Sequence, residues 1–172
     1  GMRFPGASIF MNPESVGKEI GSLVKIKHPF LIKTISFIVE DNSMEGCKAS
    51  IRIYRMESDG KFVNIVTMPI YQDIPKATEL TSFNIAPEES IFLDPGEYYV
   101  SFCLSEISQE IMDRWAEAET WDKEHRFNMY RQDRINFPLY LKSSYTREHP
   151  EQPLTKWGAN IGIEVKGIER KL

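Results

Sequence analysis

The chain is short of the residues that most chemistry needs. In 172 residues there are two cysteines, Cys47 and Cys103, and three histidines, His28, His125 and His149. Two cysteines cannot make a disulfide framework. Each sits in a strand-like run and reads as a small buried side chain, with a bridge left open only if their strands are neighbours. No histidine has a His, Cys, Asp or Glu partner at zinc-ligand spacing, and neither HExxH nor CxxC occurs, so no metal is expected. GxGxxG, GxxxxGK and GxSxG are missing too. That removes the usual phosphate cradles and the nucleophile elbow, and no cofactor is expected. No apolar run reaches the ~20 residues of a membrane-crossing helix, so membrane insertion is not expected. Against 25 acidic residues stand 21 basic ones, a net charge of −4 with no basic stripe, which argues against nucleic acid as a partner.

What the chain does have is aromatic and strand-like. Aromatics make up 12% and hydrophobic residues 41%, enough for a substantial core. The stretch SIFLDPGEYYVSFCL, residues 90–104, organises the reading. Asp94-Pro95-Gly96 is a tight turn, with Pro presetting φ and Gly free to take a positive one, and two strands joined there are expected to form a hairpin. Beyond the turn Tyr98, Val100, Phe102 and Leu104 share one face, expected to be core, while Glu97, Tyr99, Ser101 and Cys103 share the other, expected to lie nearer water.

The same alternation recurs along the chain. Residues 19–27, 31–40, 47–56, 62–68 and 80–85 read as strands, and 31–40 and 47–56 are expected to pair as an antiparallel hairpin. Ser58-Asp59-Gly60 reads as a hairpin turn. Residues 69–78 and 143–156 read as loops, and 41–46 as a turn whose oxygens lack calcium-loop spacing. Pro138 within the strand around Ile135–Leu141 marks an edge strand or a bulge. The last strand spans Gly158–Ile168. From Ser105 the period changes. Ile107, Ile111, Trp115 and Ala118 recur at helical spacing behind a Ser108 cap, predicting one inserted helix over about 106–121, packed across one end of the strands. The sum is an all-β chain, an antiparallel, jelly-roll-like β-sandwich with one inserted α-helix, in a single domain over residues 2–172. Gly1 reads as a tag remnant before Met2.

Leu93-Asp94-Pro95-Gly96-Glu97-Tyr98-Tyr99-Val100-Ser101, Ile51-Arg52-Ile53-Tyr54 with Ser58-Asp59-Gly60, and Tyr145-Thr146-Arg147 with Lys156-Trp157 resemble segments of bacterial β-sandwich accessory domains. Those domains recur in exported and cell-envelope proteins. The resemblance implies a sandwich fold, a non-catalytic role and an envelope location. A natural start at Met2, where no signal peptide is visible, would instead imply the cytoplasm.

Function has three readings at this stage. The first is a binding or accessory module for a glycan or for another envelope protein or domain, with Tyr145, Arg147, Trp157 and Trp121 as candidate ligand-binding residues. These aromatics lie outside the regular core alternation, and a sugar is held by stacking on exposed rings and by polar groups on its hydroxyls. The second is a jelly-roll glycoside hydrolase or lyase, which needs two carboxylates facing across a cleft, with outward acids such as Glu97 or Glu164 as candidates. The third is a purely structural or assembly domain.

Overall fold

The computed structural model describes residues 3–42, 45–126 and 134–171. Ser43 and Met44 of the turn at 41–46, and most of the charged stretch after the helix, lie outside the described residues. The protein is a mostly β sandwich of antiparallel sheets with one α-helix among the described residues.

One layer is a seven-stranded sheet. Its path is β13 (Thr155–Trp157), β12 (Ser144–Arg147), β2 (Glu19–Ile26), β10 (Gly96–Ile107), β5 (Cys47–Met56) and β6 (Phe62–Asn64), with β7 (Ile70–Ile74) pairing further along β5. Two four-stranded sheets make the opposite layer. In one, β1 (Arg3–Phe10), β11 (Arg134–Tyr140) and β14 (Asn160–Ile161) lie in order, with β4 (Asp41–Asn42) also on β11. In the other, β15 (Ile163–Glu169) and β8 (Thr81–Ile85) flank β3 (Phe30–Val39), which also pairs β9 (Ile91–Leu93). Two stretches of chain pass from one small sheet to the other, β3 into β4 and β14 into β15. Backbone bonds from Ile38 N–H to Gly162 O (3.0 Å) and Glu40 N–H to Asn136 O (2.7 Å) stitch that seam.

The interior lies between the layers. Tyr98, Val100, Phe102 and Leu104 are 0–2% exposed, as their alternation requires. Phe102 stands between Phe37 of one small sheet and Phe137 of the other, with ring centroids 5.4 and 5.0 Å away. Both are edge-on contacts, the arrangement the ring quadrupoles favour.

Several expectations change. The strands either side of Asp94-Pro95-Gly96 do not pair. β9 joins β3 and β10 joins the large sheet, so the turn carries the chain between layers. Likewise β3 and β5 form no hairpin, because they lie in opposite layers. Alternation says which face a strand buries and is silent about its partner. The Asp59-Gly60 hairpin does form between β5 and β6, with Gly60 at φ +85°. β6 stops at Asn64, and the supposed connection at 69–78 holds β7, paired to β5 from Cys47 to Ile51. Residues 143–156 contain β12 and the start of β13.

Pro138 sits inside β11, which is flanked on both sides. The register of β1 jumps between Phe4, opposite Leu139, and Ala7, opposite Phe137. This bulge faces the one residue that has no N–H to give. The helix, α1, runs from Gln109 to His125, later than predicted, because β10 continues to Ile107. Ser108 is its N-cap and accepts the Ile111 N–H at 3.2 Å. Among the helix residues only Ile111 and Asp122 are buried.

Candidate functional site

Two surfaces gather functional groups. The first is the outer face of the seven-stranded sheet. Register places Arg147 beside Glu19, Ser101 between Gly21 and Arg52, and Tyr99 beside Tyr54, with the Tyr145 ring 6.1 Å from that of Tyr99. This face was expected to lie nearer water. Instead Tyr99 and Ser101 are 0% exposed and Cys103 2%. Over Tyr99, Phe62, carried across by the β5–β6 hairpin, packs against Tyr54, Tyr99 and Tyr145 with centroids 6.1, 6.0 and 4.9 Å away, while Ser101 bonds the buried Glu19.

Glu19 is the centre of this face. It is 0% exposed. Its Oε1 accepts Arg147 Nη2 at 2.9 Å, Arg147 Nε at 3.1 Å, Arg52 Nη1 at 3.2 Å and the Tyr54 hydroxyl at 3.3 Å. The Ser101 hydroxyl donates to Oε2 at 2.6 Å. Arg147 Nη1 also donates to the carbonyls of Pro150 and Gln152, tying the following loop to the face. Burial first, and the Glu19 charge second, hold the Tyr99 hydroxyl well above its ordinary value, and Tyr54 is raised for the same two reasons. The Tyr99 hydroxyl donates to the Tyr145 carbonyl at 2.6 Å.

The four residues singled out from sequence therefore separate. Tyr145 and Arg147 share the outer face. Trp157 pairs with Ser144 on the inner side, packs against the core and donates Nε1–H to the Ser144 hydroxyl at 2.9 Å. Trp121 is elsewhere, on α1, where it is 38% exposed and stacks on His125 at 4.1 Å. Glu97 and Glu164 are both exposed, on strands of opposite layers whose neighbouring residues point to the core, so each faces outward rather than across a shared cleft. Among the described residues no three His, Cys, Asp or Glu side chains gather as metal ligands.

The second surface was not foreseen. A groove of about 450 Å³ opens between the β5–β7 margin of the large sheet and the β8–β9 margin of the opposite layer. Ile70, Ile85 and Tyr98 are buried along it. Tyr71 and Phe92 flank it from the two layers and are 58% and 71% exposed. Polar side chains along it include Arg55, Gln72, Asn84, Glu88, Glu89 and Asp94. The Thr67 hydroxyl donates to Glu89 at 3.3 Å, linking the segments on either side. The signal for this site was present in the alternation. Tyr71 and Phe92 fall out of phase with Ile70, Ile74 and Leu93, large aromatics on the solvent side of short strands. Reading 69–78 as a loop hid it.

Compared with known proteins, the chain matches no family model, no curated protein and no solved structure.

Proposed function

We propose that the protein is a binding module that takes a carbohydrate in the groove between its two layers, in keeping with the non-catalytic role implied by its resemblance to β-sandwich accessory domains. The observation that carries this reading is the pair of exposed rings, Tyr71 and Phe92, on the two lips of one polar groove. A sugar ring offers an apolar face for such rings and hydroxyls for amide and carboxylate groups like those of Gln72, Asn84 and Asp94. The groove's volume falls in the range of small-molecule sites, roughly 300–1,000 Å³. Its charged lining is one Arg and three acids, which favours a neutral ligand over an anionic one.

Titration with a panel of neutral oligosaccharides tests the reading. Tyr71→Ala and Phe92→Ala are each expected to cost about 1–2 kcal/mol of binding, roughly 5–30-fold in Kd, while leaving thermal stability nearly unchanged. Flat isotherms across the panel, or equal affinity in both variants, would remove it.

A further inference from the structure

The outer face of the large sheet holds one more positive charge than negative at its centre. Two guanidinium groups share the single Glu19 carboxylate. They are not used alike. Arg147 spends Nε and Nη2 on Glu19 and Nη1 on two loop carbonyls, and its side chain is 16% exposed. Arg52 bonds through Nη1 alone, to Glu19 and to the Tyr54 hydroxyl. Its Nε and Nη2 carry three further N–H donors, with no hydrogen-bond partner among the described residues, on a side chain 31% exposed.

We infer that Arg52 is an anion-binding point, taking the carboxylate or sulfate group of an acidic ligand on its Nε–Nη2 edge. That edge presents two parallel N–H bonds at the spacing of two oxygens on one carboxylate or sulfate, the arrangement that makes guanidinium contacts strong. Glu19 and Tyr54 fix the third nitrogen, so the side chain is ordered before the ligand arrives and loses less entropy on binding. Arg147 already neutralises Glu19, so the charge of Arg52 remains for an incoming anion. Tyr71 pairs with Ser50, one diagonal step from Arg52 on the same face, which sets an exposed ring beside the charge. Tyr71 borders both sites, but Arg52 does not line the groove, so the inference stands whether or not the groove holds a neutral sugar.

The test reads the Arg52 Nε–H resonance of the native protein by nuclear magnetic resonance at low ionic strength, during separate titrations with sodium sulfate, sodium glucuronate and glucose. Both anions are expected to shift it saturably, glucose is not, and added sodium chloride should weaken the response. Arg52→Gln is expected to weaken glucuronate binding roughly tenfold or more. A response to sulfate and not glucuronate would assign a tetrahedral oxyanion, and the reverse a carboxylate. The inference falls if neither anion shifts the resonance, if glucose shifts it equally, or if a folded Arg52→Gln protein binds glucuronate as tightly as the native one. Because the native protein's own signal is read, failure of the variant to fold would not blunt the result.

Discussion

A carboxylate with no solvent contact, as at Glu19, costs several kcal/mol to desolvate unless donors surround it. Here a serine hydroxyl, a tyrosine hydroxyl and two guanidinium groups do so. Glu19→Gln keeps the shape and removes the charge, leaving Arg52 and Arg147 to repel each other. We expect a loss of about 2–4 kcal/mol in denaturant unfolding, below the ~3–5 kcal/mol of a fully buried pair because Arg52 reaches water. Tyr99 supplies a pH test. Its folded hydroxyl ionises well above the unfolded value near pH ~10, so above that pH the unfolded chain binds fewer protons. Stability is fully present below pH ~10 and falls as pH rises beyond it. Tyr99→Phe should flatten that alkaline fall and cost about 1 kcal/mol at neutral pH for the lost bond to the Tyr145 carbonyl, both measurable as unfolding midpoints against pH. The sequence singles out Arg147 and Tyr145, but not the buried Glu19 that gathers the cluster. Glu19 and Arg147 are 128 positions apart, and Arg147 lies in a segment whose prolines read as loop.

Strands are where sequence reasoning worked and where it stopped. Ile35, Phe37, Ile51, Ile53, Val100 and Phe102 are buried on the faces their alternation assigned. Which strand lies beside which depends on turns, and only the Asp59-Gly60 turn specified a pairing by itself. Short strands set among prolines, such as β12 and β13 of four and three residues, give a period-2 signal too weak to rise above their loops. Two glycines separate conformation from space. At Gly60 an added Cβ would meet nothing within 4 Å, so Gly60→Ala should cost only the left-handed penalty, about 1–2 kcal/mol. At Gly21 the same atom would strike the Val100 carbonyl and lie 2.8 Å from Ser101 Cα and from the Tyr99 ring. Gly21→Ala should break the β2–β10 pairing and cost more than roughly 4 kcal/mol, the range reserved for disrupted cores. Urea melts of the two variants would rank them, and equal midpoints would refute the distinction. The margins beside the groove also show how open edges are kept from pairing with other chains. Pro69 and Pro75 bracket β7, and Pro87 follows β8.

Across the whole molecule the two layers fix the fate of both cysteines. β5 and β10 are neighbours, yet Cys47 belongs to the interior with Ala49 and Ile51, while Cys103 belongs to the outer face with Ser101. Side chains on opposite faces of a sheet cannot bridge. Alkylation after denaturation should therefore find two thiols with or without prior reduction, and a mass consistent with one disulfide would contradict the fold. In the native state burial pushes the Cys47 thiol up to about 11, so its reaction with iodoacetamide at pH ~8 should be slower than that of a free thiol. The pairing of β1 with β11 has a further consequence, for the order of events during synthesis. A strand made of residues 3–10 hydrogen-bonds to one made of residues 134–140. At ribosomal speeds of about 5–20 residues per second, roughly 6–25 s separate the first from the second. Through that interval β1 lacks the strand that it pairs with among the described residues, and its sheet closes only once residues 134–161 have emerged.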